Sequence, residues 1–140
     1  MEIKKVGDSL SYVKQHPEMF LSYGKVQLHE LAAKIVVDVV SLGVFPVMVD
    51  YVNDWWVVSA PENWMGMDNE LSINELFSKL VPNPKAGQNA SRNEVVLHAY
   101  AENVFVYSDG RDHLIKGSKD VVVVDEIKTK FLDSCFIAFR

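Results

Sequence analysis

The pair His29-Glu30 begins like the His-Glu-x-x-His helix of zinc hydrolases, in which two histidines one turn apart bind the metal and the glutamate serves as general base. Position 33 is alanine, so the second ligand is missing and that chemistry is excluded. His16, His98 and His113 show no metal-ligand spacing to one another or to Cys135. Ser59 and Ser91 lie outside any Gly-x-Ser-x-Gly turn, the setting that exposes a serine nucleophile. Cys135, inside an apolar run, reads as a small core residue. The most informative acid is Asp38, which falls on the apolar stripe Leu31, Ile35, Leu42 and so is expected to face a sheet. The ordinary reading is an i, i+4 pair with Lys34, since carboxylates are rarely buried unpaired.

Aromatic chemistry is concentrated in one stretch. Trp55, Trp56 and Trp64 fall within ten residues, close to Tyr51. In a strand, Trp55 and Trp56 point to opposite faces, so one enters a core and the other lies on the outer face. An outer tryptophan beside Tyr51 makes an apolar patch that either meets a partner or is covered by the Pro82 to Asn93 loop or a second copy of the chain.

The elements that position these residues follow from punctuation and periodicity. Asp8 or Ser9 can cap a short helix to about Gln15, stopped by His16-Pro17. From Lys25 to Leu42 the positions Leu28, Leu31, Ala32, Ile35, Val39 and Leu42 keep helical spacing, with Gly43 as the stop. Val44 to Val52 and Trp55 to Ala60 form a hairpin across Asn53-Asp54. Ser72-x-x-Glu75 is a capping box for a helix ending near Leu80. Ser91 can cap a further helix through Tyr100, though Val95 to Tyr100 also suits a strand; Val104 to Tyr107 and His113 to Lys116 form a second hairpin across Asp109-Gly110. Val121 to Val124 and Ser134 to Phe139 read as buried strands. The order implies an α+β domain: one mixed, mainly antiparallel sheet with helices packed on one face.

The 140 residues suffice for one domain spanning 1–140. No apolar run approaches the ~20 residues of a membrane span, and no basic stripe for nucleic acid interrupts a net charge of −5. The single cysteine and a polar N-terminal segment lacking a secretory apolar region lead to the expectation of a cytoplasmic protein.

Several short strings, in order from about residue 11 to 140, carry a resemblance. Tyr12-Val-Lys-Gln-His-Pro-Glu-Met-Phe-Leu21 resembles the Val-Arg-x-Arg-Pro-Gly-Met-Tyr-Ile opening of the N-terminal ATPase domain of DNA gyrase. Leu28-His-Glu-Leu leading to a helix and hairpin, Asn93-Glu-Val-Val-Leu-His-Ala-Tyr, and Ser134 to Phe139 are similar to later parts of that domain. The family is the GHKL, or Bergerat-fold, ATPase superfamily, and the resemblance implies its two-layer sandwich. Its chemistry needs Glu-x-x-x-Asn, a base and a Mg²⁺ ligand, where this chain has Lys34 and Asp38. Lysine is no general base at neutral pH without a greatly lowered pKa. The adenine motif Asp-x-Gly-x-Gly becomes Ala60-Pro-Glu-Asn-Trp64, and the glycine-rich phosphate loop becomes Gly87-Gln-Asn-Ala-Ser-Arg92.

Two expectations follow. The first is a catalytically inactive GHKL-like domain, a pseudo-ATPase without cofactor. It would act as an accessory, regulatory or immunity-type factor that binds an unidentified protein, or its own copy as a homo-dimer, through Tyr51, Trp55 and Trp56. The alternative is a divergent Mg-ATP site in which Asp38 holds Mg²⁺, Lys85 and Arg92 contact phosphates and Trp64 stacks on the base.

Overall fold

The computed structural model describes residues 9–67, 69–118, 121–131 and 133–140. Five strands, β1 (Met48–Val52), β2 (Trp55–Ala60), β3 (Val104–Ser108), β4 (Arg111–Lys116) and β5 (Cys135–Phe139), form one antiparallel sheet in the order β1-β2-β5-β3-β4. Both hairpins turn on two residues of positive φ, Asn53 (49°) with Asp54 (73°), and Asp109 (52°) with Gly110 (75°). These are type I′ turns, whose twist matches that of the strands they join. The α+β class therefore holds, with an entirely antiparallel sheet.

Helices α1 (Ser9–Gln15), α2 (Pro17–Phe20), α3 (Leu28–Ser41), α4 (Ile73–Leu76), α5 (Glu94–Tyr100) and α6 (Val121–Lys130) supply the remaining layers. The expected break at His16-Pro17 is present, and Pro17 opens a new helical turn where its missing N–H costs nothing. Asp8, the other cap expected for α1, lies outside the described residues. α3 ends as its glycine implies. Gly43 (φ 83°) donates to the Val40 carbonyl and Val44 to that of Val39, a Schellman closure in which buried Val39 and Val44 accompany the turn. The capping box at α4 is complete, Ser72 Oγ accepting from Glu75 N and Glu75 from Ser72 N. α5 is a helix, begun by Asn93 instead of Ser91, with the Lys116 ammonium on the carbonyls of His98 and Ala99 at its end.

Two expectations are corrected. Val121 to Val124 is the start of helix α6, not a strand: Val124, Ile127 and Phe131 recur at helical spacing and are buried together, which outweighs the β-branched composition. The helices are also not confined to one face, so the two-layer sandwich becomes three layers. Cys135, Ile137 and Phe139 of the central strand β5 join the core that contains α1, α3 and α5 residues, whereas Phe136 and Ala138 join Val123, Val124 and Ile127 of α6. A central strand apolar at every position needs cover on both sides, and α6 provides the second.

Candidate functional site

The residues expected to hold a nucleotide divide between the core and the surface. Asp38 and Arg92 do come together, in a buried polar seam between α3 and the head of α5. Asp38 Oδ2 accepts the backbone N–H of Asn93 at 2.7 Å, and its Oδ1 accepts the Asn93 side-chain amide at 2.9 Å. Arg92 donates through Nη2 to Glu94 Oε2 at 2.6 Å, and its Nε lies 3.8 Å from Asp38 Oδ2. The three charged side chains are 0 to 3% exposed. Burial, reinforced by the Glu94 carboxylate, raises the Asp38 carboxyl to about 8, while Asn93 and Arg92 pull against that rise.

Lys34 is not the partner of Asp38. Its ammonium turns out to Glu30 at 3.8 Å. Arg92 is likewise spent on carboxylates inside the protein and presents no face to a phosphate. Trp64 is fully buried with Met65 in the main core, so its indole cannot stack on a bound base in this conformation. Lys85 sits apart, exposed on a short turn at Pro84–Ala86. Asp38 and Arg92 are thus engaged with groups inside the protein, and Trp64 lies in the core. The loop carrying Arg92 is anchored to α3 at both ends, by Asn93 on Asp38 and by the Asn83 amide donating to Ser41 Oγ at 3.0 Å. Among the described residues no cluster of three His, Cys, Asp or Glu could hold a metal.

The aromatic residues of the first hairpin also divide. Trp55 is fully buried on the α6 side of the sheet, with the Arg140 guanidinium 4.8 Å from its ring centroid, so its expected place at a protein interface is corrected to the core. Trp56 points the other way and is only partly buried, and Tyr51, its cross-strand partner, meets it edge-on at 5.2 Å. Tyr51 is 55% exposed. Beside it on edge strand β1 and its lead-in, Phe45, Met48 and Val49 are exposed too.

Tyr51 also borders an open cavity of about 700 Å³ at the end of the sheet, where Val26 and Leu28 before and at the head of α3 face Tyr100, Glu102 and Asn103. The Tyr51 hydroxyl donates to Asp54 at 3.2 Å, leaving the carboxylates of Asp54 and Glu102 in the lining. Arg140 lines it as well, but its guanidinium lies over Trp55, whose side chain packs on the opposite face of the sheet. These residues differ in how far the sequence signals them. Tyr51 and Trp56 carried the alternation signal, whereas Glu94 and Asn93 gave none, because a polar residue at a helix start is ordinarily a cap.

Comparison with protein-family models, with curated proteins and with solved structures finds no match.

Proposed function

We propose that this chain is a protein-binding accessory domain, of regulatory or immunity type, whose contact surface is the β1 side of the sheet around Tyr51 and Trp56. The observation that carries the reading is the exposure of Met48, Val49 and Tyr51 on edge strand β1 and of Phe45 just before it. Exposed apolar groups gathered in one region ordinarily mark a partner surface. Tyrosine and tryptophan are the side chains that most often dominate such contacts. The acidic groups in the adjoining cavity, Asp54 and Glu102, favour a partner that brings a basic side chain next to its apolar ones.

The strings that resemble the GHKL ATPases support descent from that superfamily, with the nucleotide chemistry lost. The commitment of Asp38 and Arg92 to each other's neighbourhood supports the loss. A cytoplasmic setting is the one in which a single unpaired cysteine is ordinary.

Titration of the protein with Mg-ATP, followed by tryptophan fluorescence and thermal shift, tests the loss. The expected result is no change in melting temperature, whereas a ligand of the folded state must raise it. Saturable stabilisation that disappears in Asp38→Ala would restore the nucleotide reading. For the contact surface, Tyr51→Ser and Trp56→Ser are expected to weaken partner binding without unfolding the domain; binding undiminished in both would remove this surface from consideration.

A further inference from the structure

Three ionisable side chains meet in the seam between α3 and the head of α5, and their charges do not cancel. Asp38 and Glu94 face a single guanidinium, that of Arg92, and all three are at most 3% exposed. With every group ionised the cluster would carry one net negative charge, which an apolar interior tolerates poorly. Among the described residues the surrounding groups do not supply the missing positive charge. From α3, Lys34 offers only its backbone carbonyl, to the Asn93 amide, and its ammonium is turned to Glu30; the Ser41 hydroxyl donates to the Asp38 backbone carbonyl. From the loop after β2, the Met67 carbonyl accepts from Arg92 Nη1 at 3.4 Å. Along α5, His98 is directed to the Phe77 carbonyl. Glu94 Oε1 meets no donor among the described residues, so a proton added there displaces no hydrogen bond.

We propose that the pair Asp38 and Glu94 keeps one proton at neutral pH, neutralising the cluster, and that release of this proton loosens the seam between α3 and the 82–93 loop. The cluster is then a proton-operated latch. The raised carboxyl of Asp38, about 8, caused first by its burial and then by the Glu94 charge, agrees with it. An ordinary aspartate in the unfolded chain gives up its proton near pH 4. Between that pH and about 8 the folded chain therefore holds a proton that the unfolded chain has lost, so stability falls as pH rises through this window and levels off above it.

The test uses the full 140-residue chain, carboxyl-labelled at Asp and Glu, titrated from pH 3 to pH 10 by carbon NMR. The expected result is one cluster carboxyl with a midpoint near 8. Side-chain carbons of both Asp38 and Glu94 already at their ionised positions at pH 6 would overturn the proposal. Amide exchange of the same wild-type chain, which avoids variants that fail to fold, tests the latch. Opening at the Asn93 amide is expected to rise by up to about tenfold per pH unit between pH 6 and 8 beyond the intrinsic chemistry. Exchange at Asn93 that follows only the intrinsic chemistry would leave a bound proton but overturn the latch.

Discussion

The two outer strands of the sheet, β1 and β4, are both open to solvent, yet they answer that exposure differently. β4 presents Arg111, Asp112, His113 and Lys116 along six residues, with Asp112 held by Lys128 at 3.1 Å and Lys116 folded onto the end of α5. Charge along an edge is the common way to prevent another chain from adding to a sheet. β1 has one charged residue, Asp50, and its other exposed side chains, Met48, Val49 and Tyr51, are apolar or aromatic. Asp50 accepts the Tyr51 backbone N–H at 2.8 Å and is gripped by Lys130 of α6, also at 2.8 Å. A donor that strand addition could use is therefore already occupied, while the side chains beside it stay accessible. The difference teaches that β4 is closed to association by its side chains, whereas β1 guards part of its backbone and offers its side chains.

The largest effect expected from breaking this contrast lies beneath the edge. Trp55→Ala should cost about 3–5 kcal/mol in urea denaturation, since Trp55 fills the α6 side of the core, while Trp56→Ala on the accessible side should cost much less. Next in size is recognition. Tyr51→Ser should weaken partner binding by about 2 kcal/mol in calorimetry, and Leu114→Ser, at an exposed apolar position of β4, should leave it unchanged. Equal losses at Tyr51 and Leu114 would erase the distinction between the edges.

The smallest effect concerns the guard on β1. The Lys130 ammonium, with the Tyr51 N–H, holds the Asp50 carboxyl below the usual range, so whatever stability it adds is present above that range and fades as pH falls through the depressed value. Asp50 and Lys130 are solvent-accessible, so Lys130→Ala should change stability by no more than about 1 kcal/mol, diminishing with salt. A larger, salt-independent loss in thermal denaturation would mean that α6, and not a screened surface pair, holds this edge.

Much of the framework is legible in the sequence. Asn53-Asp54 and Asp109-Gly110 predict their hairpins because few residues accept positive φ at both central turn positions, and Gly43 predicts the end of α3 for the same reason. The Ser72 capping box is equally local. What escapes a sequence reading depends on distant contacts. The valine run that opens α6 favours a strand by composition, and only the burial of Val123 and Val124 with Ile127 and Phe131 against Trp55 and Phe136 decides for helix. The second helical layer has a sequence signal, the unbroken apolar run of β5, which implies cover on both faces. For the candidate site, Tyr51 and Trp56 are legible from strand alternation, but Trp55 and Trp56 cannot be assigned to inner and outer places without knowing that α6 exists. Asp38 is expected to face inward; its partners, Asn93 and Arg92, stand 55 and 54 positions away, beyond the reach of any local pattern.

The claim that β1 and not β4 meets another protein is tested most directly by placing a photo-crosslinking amino acid at Val49, Tyr51 or Leu114 of the full chain in its native cell. The account predicts a discrete protein adduct from Val49 and Tyr51, abolished when Trp56 is replaced by serine, and none from Leu114. Adducts from Leu114 alone, or the same adducts from both edges, would contradict it.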